Sequence, residues 1–203
     1  EAMAVTIAEP MIDLRALLLE REEFEGGMVS RLRDGLAQGS TQIRVLKDIA
    51  DTLQKRLVTA AAPQQKKLHL KLGIVHYYLG HMRQAIEHLN KTEGPLAFYY
   101  LGLAHLFLAQ AQSYSDEPDT IDHLDAAFKA FDRAEKVGYA AQQAQLQKAG
   151  VLRLQGRIGE AKAILARLKD AAAHNAEYYF QEGAIAEVEG DRARAARAPR
   201  GDA

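Results

Sequence analysis

Four of the chain's seven histidines, His69, His76, His81 and His88, fall within twenty residues of one another. Imidazole is the commonest metal ligand and the side chain whose charge changes nearest neutrality, so the cluster raises a metal site or a pH sensor. Neither signature is complete. No pair stands in the H-E-x-x-H arrangement that puts two ligands and a general base on one helical face, and His81 and His88 fall on a turn and on the helix after it. Packing between neighbouring helices is the plainer role for these residues.

The other charged stretches are weaker signals. SDEPDTID places Asp116, Glu117, Asp119 and Asp122 close together, but a calcium loop needs alternating oxygen ligands, a central glycine and a closing bidentate glutamate. The stretch reads as a solvated loop, with Asp119 or Thr120 capping the next helix. The basic tail RARAARAPR has no interleaved aromatics and runs into Pro199, so it reads as a solvated face rather than a nucleic-acid contact. For catalysis, GHMRQAI and GRIGEAK lack the Lys-Ser/Thr ending of a phosphate loop and follow helices rather than strands. No nucleophile elbow is present either. The expectation is a protein that is not an enzyme and carries no cofactor and no metal.

The elements that must position these residues are helices. Ala, Leu, Gln, Glu, Arg and Lys dominate and alternating β-branched runs are nearly absent, so the chain is predicted to be all-α. At 203 residues, with a net charge of −1 and no cysteine, it has the composition of a folded domain without a disulfide framework or a global basic field. No apolar run approaches the roughly 18 residues that span a bilayer, and a cytoplasmic location is taken by default. Breaks are expected at Gly26-Gly27, Gly39-Ser40, around Pro63, at Gly94-Pro95, over Ser113 to Pro118, at Gly138, around Asn175 and near Pro199.

Small residues recur along these helices with a fixed spacing. From Gly73, steps of seven, five, four and three residues reach Gly80, Ala85, Leu89 and Thr92; from Ala149 the same steps reach Gly156, Ala161, Leu165 and Leu168. A 34-residue shift carries Ala149, Gly156 and Ala161 onto Gly183, Gly190 and Ala195. Another unit opens at Leu101-Gly102 and closes with Ala127, Phe131 and Ala134, with about 13 extra residues between its halves. Fixed periods of this length are the mark of repeat architectures.

The spacing resembles that of the tetratricopeptide repeat family over roughly residues 64 to 198. The resemblance implies a right-handed helical-repeat solenoid of about four helix-turn-helix units. Gly73 and Gly102 would let paired helices approach, Gly80 would make the turn, and Ala85 would sit at the crossing. His76 and His105 occupy equivalent positions, where the family usually places an aromatic. The first two units lie 29 residues apart rather than 34. The predicted organisation is residues 1–8 disordered or tag-derived, 9–60 N-terminal helices forming a cap or degenerate repeat, 64–198 the array with an acidic insert near 110–122, and 199–203 a tail. Three N-terminal helices are expected, over MIDLRALLLEREEF, MVSRLRDGLAQ and STQIRVLKDIADTLQKRL, the last capped by Ser40 or Thr41.

In such an array the first helix of each unit lines a concave groove. The groove residues implied here are Leu70, Ile74, Tyr77, Tyr78, Tyr99, Leu103 and Leu106, with Arg153 at a polar end. The carboxylate clamp by which some family members hold chaperone tails is not kept, because its positions carry Leu70, Ile74, Tyr100, Gln143 and Gln147. The expected function is therefore a protein-protein interaction scaffold or adaptor holding an apolar or helical partner segment, without nucleic acid or a membrane span. The alternative is an assembly module that self-associates as a homo-oligomer or belongs to a larger multi-repeat chain, its groove filled by its own N-terminal helices.

Overall fold

The computed structural model describes residues 11–112 and 122–197, which form helices joined by turns, with no strand among them. A π-helical turn, Ala16–Glu20, is followed by α1 (Gly26–Ala37), α2 (Thr41–Thr59), α3 (Ala62–Tyr78), α4 (Met82–Leu89), α5 (Pro95–Gln112), α6 (His123–Lys136), α7 (Ala141–Leu154), α8 (Ile158–Leu168) and α9 (Ala176–Arg197). The chain divides into two compact units, Glu1–Tyr100 and Leu101–Ala203, and the boundary between them falls within α5.

In the first unit, α2 packs on α3 and α3 on α4. The core joins Leu46, Ile49 and Leu53 of α2 to Leu72, Ile74 and Val75 of α3 and to Leu89 of α4, all of them essentially inaccessible. The two helices of the α3–α4 pair approach closely because Gly73 has no side chain. A Cβ there would stand 2.5 Å from Leu89 Cγ and 3.4 Å from the Ala85 carbonyl, so the glycine removes a clash and α3 accepts the roughly 1 kcal/mol helix-propensity cost. The chain reverses at Gly80, where φ is +80°. The His81 N–H there donates to the His76 carbonyl at 2.9 Å and the Gly80 N–H to the Tyr77 carbonyl at 3.0 Å. This is the glycine-centred capping pattern that consumes the last helical carbonyls.

The second unit repeats both devices. Gly102 faces Phe131, with a Cβ placed 2.6 Å from its Cε1. Gly156, at φ +77°, caps α7 through the Arg157 N–H to the Leu152 carbonyl at 2.8 Å and the Gly156 N–H to the Arg153 carbonyl at 3.0 Å. Ala149, Ala161 and Leu165 lie together in a core that also takes in Leu146, Leu168 and Tyr178. Lys148 ties α7 to α6, its Nζ 2.8 Å from both Asp132 and Glu135.

Several expectations are corrected here. Gly190 makes no turn: α9 runs unbroken from Ala176 to Arg197, and no Cβ at Gly183 or Gly190 would meet a neighbour within 4 Å. Both glycines stay inside one helix, and among the described residues a fourth helix-turn-helix is not formed. The segment 11–24 is helical only over residues 14–20, because long side chains from α2 and α3 take its terminal carbonyls. Arg56 donates to the Leu19 carbonyl at 2.7 Å, and Lys71 to the Leu18 carbonyl at 3.1 Å and to that of Arg21. The break expected at Gly26-Gly27 falls just before it, over residues 21–25, and the two glycines open α1. Ser40 precedes α2 without a side-chain cap, and Asp122 caps α6 by accepting from the Asp125 N–H at 3.0 Å. Asp116, Glu117, Asp119 and Thr120 of the acidic insert, and Pro199, lie outside the described residues. None of the described helices is long and apolar enough to cross a membrane.

Candidate functional site

Two adjacent tyrosine pairs, Tyr77-Tyr78 at the end of α3 and Tyr99-Tyr100 in the first part of α5, converge in the first unit. Tyr100 sits at the centre. Its ring lies 5.1 Å from that of Tyr77 at 80°, 5.9 Å from Tyr99 at 86° and 6.0 Å from Tyr78. The Tyr77 and Tyr78 rings meet edge to face at 5.3 Å, the arrangement in which the positive edge of one ring addresses the negative face of the other. The Tyr78 and Tyr100 hydroxyls are 2.8 Å apart and share a hydrogen bond. Tyr100 is 4% exposed, whereas Tyr77, Tyr78 and Tyr99 are half-buried. Burial raises the hydroxyl pKa of both Tyr77 and Tyr78, so the cluster is uncharged and presents ring surface.

The other predicted groove residues divide by burial. Leu70 and Leu103 are half-buried. Ile74 is wholly buried and Leu106 is 9% exposed, so both pack inside the protein and offer no face to a ligand. Arg153 is half-buried, with its Nε donating to Gln181 Oε1 at 3.2 Å. Tyr100, which sequence reasoning placed only among the unkept clamp positions, is the ring on which the others lean. The doubled Tyr-Tyr pattern was the available signal for it.

The histidines also converge. In the first unit His69 Nδ1 is 2.9 Å from His88 Nδ1, His76 Nδ1 is 3.3 Å from His81 Nδ1, and the His76 and His88 rings stack at 5.5 Å and 2°. A polar cleft of about 340 Å³ opens beside them, lined also by Asp51 and Gln54 of α2 and by Gln84, Glu87 and Lys91. Burial is the main cause that lowers the pKa of His69, His76 and His88, with His88 reaching about 4 under the added influence of His69 and His76. In the second unit His105 Nδ1 and His123 Nδ1 are 2.8 Å apart, and burial followed by the His123 imidazole takes His105 down to about 4. Each of these Nδ1–Nδ1 contacts needs one ring donating and the other neutral to accept. Among the described residues no three histidine, aspartate or glutamate side chains form a group that could hold a metal ion.

Comparison of the chain with family models, with curated proteins and with solved structures finds no match.

Proposed function

We propose that this chain is a helical-repeat interaction module of tetratricopeptide type, a scaffold or adaptor whose first unit binds an apolar or helical segment of a partner protein at the tyrosine cluster. The observation that carries the reading is the set of three half-exposed tyrosines braced on a buried fourth. Rigid aromatic side chains lose little entropy on binding and dominate interface energetics. Leu70, about two helical turns before Tyr77, extends the apolar face. Ile74 supports it from within.

The test is capture by the wild-type chain beside a Tyr77→Ala, Tyr99→Ala variant whose helicity is checked by circular dichroism, followed by titration of the purified partner segment against both. At least a tenfold weakening in the variant, about 1.4 kcal/mol, is the expected outcome. Equal affinity would place binding elsewhere on the chain.

The assembly reading has its own support in the second unit. An apolar cleft of about 450 Å³ lies between α8 and α9, lined by Leu165, Tyr178 and Ile185, and Tyr179 and Phe180 are 55% and 60% exposed. Sedimentation over a concentration series separates the two readings, since a chain that stays monomeric at high concentration does not self-assemble.

A further inference from the structure

The histidine contacts recur in register. His76 lies three residues after Gly73 and His105 three after Gly102; His81 lies four residues before Ala85 and His123 four before Ala127. The members of one pair are 5 residues apart and those of the other 18. Even so, the same two positions bring Nδ1 against Nδ1 in both units, so the contact belongs to the packing of the helical pair and survives an insertion between its halves. In the first unit a further contact, His69 to His88, ties the middle of α3 to the end of α4.

The chemistry of such a contact is one-sided. Two neutral imidazoles, or one neutral and one protonated, offer a donor and a lone pair; two imidazoliums bring N–H against N–H and charge against charge. The groups around the first-unit cluster decide how easily that state is reached. From α2, Asp51 favours the charged form of His76; from α4, Glu87 favours the charged form of His69, His76 and His88. Lys91 opposes it at His69 and His88, and the imidazoles oppose one another. Glu87 is engaged by Lys91 at 2.8 Å, and among the described residues no carboxylate is hydrogen-bonded to any of these four rings. The balance lies on the neutral side.

We infer that the His69–His88 pair is an acid latch: neutral, the two rings fasten the end of α4 to the middle of α3, and when both take up protons they part and release α4 from α3. The latch does not depend on what the tyrosine cluster binds.

Hydrogen exchange of the full chain between pH 7.5 and pH 4.5, corrected for the intrinsic rate, tests it. A ring held at about 4 in the closed state against an ordinary 6.5 when released predicts a loss of α4 protection of roughly 20- to 100-fold over this range. Protection of α8, which carries no histidine, is expected to fall far less steeply than that of α4. A flat α4 profile, or α4 and α8 falling in step as in global acid unfolding, would overturn the inference. The His69→Asn, His88→Asn variant, whose amides can keep a donor–acceptor contact without titrating, should retain α4 protection at pH 4.5; loss at the wild-type pH would also overturn it. Should that variant not fold, histidine titration of the wild-type chain by NMR decides. His69 and His88 rings still neutral at pH 5.5 support the latch, and both titrating near 6.5 would refute it.

Discussion

At the scale of single residues, the glycines separate close approach from mere permissiveness. Gly73 and Gly183 both stand inside helices, yet a Cβ at Gly73 would meet the buried Leu89 while one at Gly183 would meet nothing within 4 Å. Gly73→Ala is therefore expected to destabilise by about 1–3 kcal/mol through overpacking, even after the gain in helix propensity. Gly183→Ala should stabilise by about 0.5–1 kcal/mol, because α9 has only the entropic cost of the glycine to lose. Denaturant unfolding of the two variants reads opposite signs if the distinction holds. The tyrosine cluster belongs to the same scale: Tyr77, Tyr78 and Tyr99 keep part of their rings accessible because Tyr100 takes the buried place among them.

At the scale of elements, each helical pair is held by more than its apolar seam. Between α6 and α7, Lys148 bridges Asp132 and Glu135 with its side chain only 12% exposed, and its Nζ lies 5.0 Å from the centre of the Phe128 ring. Hydrogen bonds from Lys136 and Lys148 lower the Asp132 pKa. At Glu135 burial pushes upward, but the bonds from Gln145 and Lys148 outweigh it and the pKa also falls. For a carboxylate whose folded pKa is depressed, the stabilisation is complete above its ordinary value near 4 and is lost as the pH falls through the folded one. Lys148→Met should thus cost about 1–2 kcal/mol at pH 7, between the values for exposed and buried pairs. The cost should shrink below pH 4, as thermal melts at pH 7 and pH 3 would show.

At the scale of the whole molecule, the two units share an acid-side weakness of earlier onset. His88 in the first and His105 in the second are 8% and 6% exposed, and both are held at about 4. Lowering from 6.5 means that their contribution to stability is complete above pH 6.5 and is lost as the pH falls toward 4. Both units are expected to lose about 1–2 kcal/mol for each site between pH 7 and pH 5, before the carboxylates titrate. Calorimetry at the two pH values checks this, and replacing His88 and His105 by Asn should flatten the difference.

Some of this was legible in the order of residues alone. Helix content follows from local propensity, and the turns at Gly80 and Gly156 follow from a left-handed backbone that glycine adopts without strain; both depend on neighbours within a few positions along the chain. The close seams at Gly73 and Gly102 could be read as well, because a small residue inside a helix has a cost that only packing repays. What depended on distant residues could not be read. The matching glycine at Gly190 makes no turn, since among the described residues nothing lies within 4 Å of where its side chain would stand, and the helix expected over 11–24 shortens because Arg56 and Lys71 arrive from elsewhere to take its carbonyls. Ile74 and Leu106 share a helical face with residues that stay partly exposed, yet they are buried, and Tyr100 and the histidine pairs acquire their roles only through the rings they meet. Spacing along one helix states which side chains point together. Which of them is covered, and by what, is decided by the elements that pack there, and that is a property of the tertiary structure.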